Sequence, residues 1–187
     1  MSFKYTFNRL AIAASFLFIS FSVIAEPTLE EVVVSARKVD ENLQDVPIAM
    51  SVFTSSDIED AGIQRPEDFI ALTPNVVMAN TVNVGDTLVT IRGLTSTRDA
   101  ESNFAFVVDG VLQTNPNAFN RELLDIAQIE VLKGPQGALY GRNATSGAIL
   151  ITTKAPSEES ESTAVVGMGV NNSTKLQFVN SGKMGDN

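Results

Sequence analysis

The chain has 187 residues, 44% of them hydrophobic, with no cysteine, no histidine and a formal net charge of −9. That is enough for one domain with a core plus tails. It removes disulfides, thiol nucleophiles, imidazole bases and the usual ligands of zinc, haem and iron–sulfur clusters, and it leaves no basic face for nucleic acid.

Met1–Arg9 carries Lys4 and Arg9 without an acid, Leu10–Ile24 is apolar, and Val23-Ile24-Ala25 places small residues where a signal peptidase cuts. This is the layout of a secretory signal over residues 1–25. A retained anchor is the alternative, but roughly 15 apolar residues fall short of the about 20 that a spanning helix needs. Cleavage after Ala25 would take Lys4 and Arg9 from the 13 basic residues, leaving 11 against 22 acidic ones. No later stretch is continuously apolar over a spanning length, so the mature chain is expected in the periplasm or, as β-structure, in the outer membrane.

Thr28–Lys38 (TLEEVVVSARK) holds a β-branched run between polar flanks. It reads either as the first strand of the following domain or as a docking strand that adds to a partner's sheet edge. Val39–Asp45 (VDENLQD) reads as a flexible link. Val46–Phe53 is strand-like, and Ser55-Ser56-Asp57 caps a short helix over Asp57–Ala61 that Gly62 stops. Pro66 opens a second helix, with Glu67 and Asp68 in its first turn and Phe69, Ile70 and Leu72 on its buried side; Thr73-Pro74 ends it.

Leu88–Ile91 is a strand running into Arg92-Gly93, and Asp109-Gly110 joins Phe104–Val108 to Val111–Gln113 as a two-residue hairpin. A short helix is expected over Arg121–Ile126, strands over Gln128–Leu132 and Ala148–Thr153, and one helical turn over Gly137–Tyr140. The sum is a small mixed α+β domain. After the acidic, Ser-rich linker Pro156–Ser162 the period changes: Ala164, Val166, Met168 and Val170 alternate with Thr163, Val165, Gly167 and Gly169. Past a turn at Asn171–Ser173, Leu176 and Phe178 face away from Lys175 and Gln177. Such a hairpin fits a transmembrane barrel wall, and equally a soluble hairpin.

Gly134–Gly147 (GPQGALYGRNATSG) has neither the spacing nor the lysine of a phosphate loop, and Gly167-Met168-Gly169 lacks the third glycine of a dinucleotide loop. These glycines read as tight turns. Without a histidine or a recognisable carboxylate pair, no catalytic, cofactor or metal residues are assigned.

Several segments, in order, resemble the TonB-dependent receptors. Leu29–Ala36 (LEEVVVSA) resembles their TonB box, Asn42–Val52 (NLQDVPIAMSV) the start of their plug, and Ile91-Arg92-Gly93 and Phe106–Val111 (FVVDGV) two plug motifs. Ile129–Arg142 (IEVLKGPQGALYGR), continued by Ser146–Thr153 (SGAILITT), is the most diagnostic stretch. The resemblance implies a TonB box and linker at 26–45, a plug at 46–155, a linker at 156–162 and the first strands of a barrel at 163–187. The whole barrel would have about 22 strands around the plug, hence several hundred further residues.

It further implies that Leu29, Glu30, Glu31, Val32, Val33, Val34, Ser35 and Ala36 bind TonB, which an inner-membrane complex energises. Arg92, Lys133 and Arg142 would meet acids of the barrel. The expected function is outer-membrane import of an iron–siderophore or similarly scarce nutrient, with Thr81–Asp86 and Arg98–Ser102 as ligand-side loops. Only Glu26-Pro27-Thr28 separates the cut from the box, which leaves no room there for a signalling domain. The alternative is a free periplasmic plug-like interaction module that never enters a barrel.

Overall fold

A computed structural model describes residues 31–80, 87–96, 101–156, 159–169 and 173–182. The signal segment, Leu29 and Glu30 of the box, the loop Thr81–Asp86 and most of Arg98–Ser102 lie outside the described residues.

From Val32 onward the order begins with β1 (Val33–Val34) and β2 (Glu41–Asn42), then β3 (Met50–Thr54), α1 (Ser55–Asp60), α2 (Pro66–Leu72) and β4 (Val76–Asn80). β5 (Thr87–Ile91), β6 (Leu94–Thr95), β7 (Phe104–Val108) and β8 (Val111–Leu112) follow. The last elements are β9 (Ile126–Lys133), α3 (Gly137–Tyr140), β10 (Gly147–Thr153), β11 (Glu161–Gly169) and β12 (Ser173–Ser181). The central sheet runs β3-β9-β10-β7-β8 and is antiparallel except for β10 against β7; β4-β5-β6 form a second sheet.

The central sheet is apolar on both faces, and the alternation along β9 shows why. Ile129 and Val131 point into the larger core with Phe69, Phe104, Phe106, Phe119, Val89 and Ile91. Phe119 sits at its centre, edge-on to Phe69, Phe104 and Phe106 with ring centroids 5.0–6.3 Å apart, a favoured aromatic geometry. Leu132 points the other way, into a thinner layer of small side chains, Ala105, Ala144 and Ala148, roofed by Ala36 and Tyr140.

The Asp109-Gly110 hairpin forms as expected, with φ of 47° and 78°. The Asp109 carboxylate also accepts from the Thr153 backbone N–H at 2.8 Å and the Thr153 hydroxyl at 3.0 Å, tying the hairpin to the end of β10. Pro66 does open α2 and Thr73 ends it. The single turn Gly137–Tyr140 is also present.

Several expectations are corrected. Arg121–Ile126 is not helical: Asp125 takes a left-handed φ of 54°, Leu123 N–H bonds to the Gln64 carbonyl, and Ile126 already belongs to β9. Leu72 is 54% exposed rather than buried. The cap of α1 is Thr54, one residue earlier, in a capping box with Asp57. The strand expected from Val46 begins at Met50, beyond Pro47, and β4 was not foreseen. Val39–Asp45 is not a slack tether: Glu41–Asn42 pairs with Val33–Val34, and Leu43–Asp45 forms a 3-10 turn. Gly147 is no turn glycine but sits inside β10, where a Cβ would lie 2.2 Å from the Leu132 carbonyl oxygen.

β11 and β12 pair antiparallel, with Ala164 opposite Phe178 and Val166 opposite Leu176. Met168, Leu176 and Phe178 are 87%, 79% and 71% exposed. The other face, with Thr163, Val165, Gly167, Lys175 and Gln177, lines a cleft with Ile58, Gln64 and Leu123 of the plug. Lys175 bridges the cleft to Glu122 and Gln64. Among the described residues no helix is long and apolar enough to cross a membrane, which says nothing of crossing by strands.

Candidate functional site

Two places carry chemistry that the fold itself does not require. The first is the segment Val32–Ala36. β1 and β2 pair Val33 with Asn42 and Val34 with Glu41, and Leu43 N–H donates to the Val32 carbonyl at 2.9 Å. Lys38, at φ 61°, closes the turn by donating its N–H to the Ser35 carbonyl at 2.8 Å. Val34, 1% exposed, and Ala36 are buried, whereas Val33 is exposed.

Three plug side chains reach this backbone. Gln128 Nε2 donates to the Val33 carbonyl at 3.0 Å, and the Tyr140 hydroxyl donates to the Ala36 carbonyl at 2.7 Å. Glu130 Oε1 accepts from Ser35 N–H at 3.0 Å and from Ser35 Oγ at 3.3 Å. Glu130 is 1% exposed, and its Oε2 is buried without a hydrogen-bond partner among the described residues.

Burial pushes the Glu130 carboxyl above its ordinary range, the Ser35 donors and the Ala36 N–H oppose this, and the Asp40 charge adds to it. Burial and the Glu130 charge push Tyr140 up to about 12, so its hydroxyl remains a donor at any working pH. Lys38 Nζ lies 5.6 Å from the centre of the Tyr140 ring, within cation–π range. A cavity of about 690 Å³ opens beside this layer, lined by Ser35, Lys38, Asp40, Leu112, Tyr140 and Leu150 among others, so water approaches the docked segment from one side.

The second place is the end of the central sheet. Arg92 and Gly93 have φ of 50° and 81°, forming a two-residue turn between β5 and β6, a conformation that normally selects Asn or Gly at the first position. Built onto Gly134, a Cβ would lie 3.1 Å from Arg92 Nη1, so the guanidinium passes directly over this glycine, whose own φ is 113°. The adjacent Lys133 Nζ donates to Ser51 Oγ at 3.0 Å. Burial, then the Arg92 charge, lower the Lys133 ammonium below its ordinary value.

The structure thus brings Arg92 and Lys133 together, and among the described residues neither has a carboxylate within ion-pair distance. Arg142 is not part of this pair in the same sense: it forms its own exposed ion pair with Glu101 at 3.3 Å. Of the box residues, Glu31 is exposed at the start of the described chain, and Val32, Val33, Val34, Ser35 and Ala36 form the docked segment.

Sequence reasoning missed Gln128, Glu130 and Tyr140. A signal was present, since Gln128 and Glu130 are polar residues two apart in a strand that is otherwise apolar up to its last residue, Lys133, and therefore share one face. Ser96, Asn103 and Ser146 were also missed: Ser96 Oγ donates to Asn103 Oδ1 at 2.8 Å, and Ser146 Oγ donates to the Asn103 carbonyl at 3.0 Å.

Fold and site together define a small α+β domain that carries a docked N-terminal strand and continues into a hairpin with an apolar outer face. A family profile described as "TonB-dependent Receptor Plug Domain" matches residues 42–148, and the chain belongs to that family. The pesticin receptor of Yersinia enterocolitica is 28% identical over 162 residues, covering 86% of this chain and 24% of the relative. The vitamin B12 transporter BtuB of Vibrio vulnificus strain CMCP6 is 32% identical over 169 residues, covering 83% and 27% respectively. The solved ferric yersiniabactin uptake receptor FyuA of Yersinia pestis superposes with a TM-score of 0.65 at 29% identity, over 74% of this chain and 22% of that one. The chain therefore spans about a quarter of the length of the curated relatives it matches. These relatives are described as receptors and transporters.

Proposed function

We propose that the chain supplies the gate and the coupling strand of an outer-membrane receptor that imports an iron–siderophore complex or a similarly scarce nutrient, driven by TonB and its inner-membrane energising complex. The observation that carries this reading is the two-faced hairpin. Its outer face, Val166, Met168, Leu176 and Phe178, is bare and apolar, while its inner face mixes Thr163, Gly167, Lys175 and Gln177 with Val165 and Val179 and is turned toward the plug. A wall strand between lipid and an occluding plug needs that arrangement. A free periplasmic module would expose the same residues to water as an aggregation hazard.

In this reading residues 1–25 are a cleaved export signal, 26–45 the box and linker, 46–155 the plug, 156–162 a linker and 163–187 the first barrel strands. Leu29, Glu30, Glu31, Val32, Val33, Val34, Ser35 and Ala36 add as a strand to TonB. Arg92 and Lys133 meet carboxylates of the barrel, and their mutual proximity, with no carboxylate in ion-pair distance among the described residues, supports that role. Arg142, exposed beside Glu101, is a weaker contributor to the same contact. The siderophore class rests on the ferric yersiniabactin receptor among the relatives.

The test is radiolabelled ferric-siderophore uptake by cells carrying the receptor, with and without TonB. TonB-dependent uptake and recovery in outer-membrane fractions are expected. A soluble periplasmic monomer with no uptake would instead establish the free module.

A further inference from the structure

We propose that Gln128, Glu130 and Tyr140 form a latch that holds Val33–Ala36 closed on the plug, with Glu130 the positioning residue that decides whether this strand is held or offered. The inference rests on the reading of this segment as the coupling strand.

A strand has two hydrogen-bonding edges, and alternate residues address opposite ones. The Val32 carbonyl and the pairing with Glu41–Asn42 occupy one edge. The Val33 carbonyl and the Ser35 amide point to the other, where they meet Gln128 Nε2 and Glu130 Oε1. Gln128 and Glu130 are two residues apart on one face of β9, hence roughly 7 Å apart along it. Both side chains reach the same edge of the segment, meeting the Val33 carbonyl and the Ser35 amide at 3.0 Å each. One donor and one acceptor in this register imitate the edge of a neighbouring strand.

Tyr140, from α3, adds a third hold at the Ala36 carbonyl, where the chain turns toward Lys38. With the Val33 carbonyl and Ser35 N–H taken on one edge and β2 on the other, an incoming strand from a partner must displace one of them to pair with this segment. Latching and strand addition at the latched edge are therefore mutually exclusive. The unpartnered Oε2 and the open cavity alongside keep the closed state shallow enough to be opened.

The test uses the full chain, whose lack of native cysteine makes an introduced thiol unique. Val34→Cys is close to isosteric, and its side chain is buried only while the segment is docked. Its maleimide labelling rate reports opening, and Val89→Cys, in the plug core, reports global unfolding. Glu130→Ala is expected to speed V34C labelling at least about tenfold while V89C stays protected. Glu130→Gln, which keeps an acceptor for Ser35 N–H, should return the rate to within about threefold of the parent. An unchanged V34C rate in Glu130→Ala, or acceleration of both thiols together, would overturn the latch. Binding of a purified TonB C-terminal domain to the opened chain is scored separately. An open segment that no TonB binds would defeat the coupling reading and leave the latch standing.

Discussion

Arg92 offers a sharp separation of stability from function. Its φ of 50° places an arginine where the two-residue turn favours Asn or Gly, and a left-handed residue other than Gly costs about 1–2 kcal/mol, less for Asn. The backbone bond from Arg92 N–H to the Asn75 carbonyl, 2.9 Å, survives any substitution here. The side chain has no ion pair among the described residues and sits beside Lys133, whose ammonium it disfavours. Nothing local repays the strain. Arg92→Asn should therefore stabilise the full chain by about 0.5–1 kcal/mol, a rise of roughly 1–4 °C in Tm. If Arg92 pairs with a barrel acid, the same variant should lose at least tenfold in siderophore uptake. Thermal melting by circular dichroism and an uptake assay on one variant supply both numbers. A variant destabilised by more than 1 kcal/mol would make Arg92 a structural residue, and unchanged uptake would make it an ordinary surface charge.

Two further outcomes follow from local geometry. Gly147→Ala places a Cβ 2.2 Å from the Leu132 carbonyl and 3.2 Å from Ile91 Cδ1; β9 and β10 must part, at a cost of about 3 kcal/mol or more, measured by denaturant titration against Gly137→Ala, where the added Cβ meets open space. Docking of Val33–Ala36 should be tightest in acid, because a carboxyl raised above its ordinary 4.5 in the docked state favours that state below 4.5 and loses the advantage as pH rises through its raised value. Asp40, Lys38 and Tyr140 are the other ionisable groups around it. Opening read by V34C, normalised to the exposed V33C, should increase with pH above 4.5 and be flat in Glu130→Gln. Global unfolding would obscure this, since Asp57 and Glu122 are lowered by their Thr54 and Lys175 partners and lose stability in the opposite direction, as pH falls.

What the sequence made legible were features set by local chemistry. Asp109-Gly110, Pro66 and the alternation of Thr163–Gly169 each encode their conformation in neighbouring residues. What it hid were decisions made at a distance. Arg121–Ile126 has helical composition, but Leu123 is claimed by the Gln64 carbonyl from another part of the chain. Val39–Asp45 is polar enough for a tether, yet Glu41–Asn42 finds a strand to pair with. Arg92 and Lys133 could be named singly from the resemblance, whereas their proximity arises only when β5 is laid over the end of β9. Glu130 was visible as a charge in an apolar strand, but its partner Ser35 lies 95 residues away.

The order of elements also says what a pull on the N-terminal strand would meet. The β1–β2 pairing has two register pairs and the latch beneath it. Next comes β3, an edge strand held by five pairs to β9 alone, whereas β9 and β10 each have two neighbours. β3 is therefore the first strand of the central sheet to yield. Its departure would remove Ser51 Oγ from Lys133 Nζ and the Ala49 carbonyl from Lys133 N–H. The strand being pulled is thus bonded to one of the two cations proposed to fasten plug to barrel, and release of the gate need not travel through the core. Ser51 and Val131 are directly opposed, with Cβ atoms about 4.5–5.5 Å apart as cross-strand partners are, close enough for a disulfide after slight adjustment. Ser51→Cys with Val131→Cys should abolish uptake when oxidised and restore it with dithiothreitol, ligand binding at the cell surface being equal in both states. Uptake that persists in the oxidised form would show that β3 stays on β9 throughout transport, and that the gate opens by some route other than peeling from this edge.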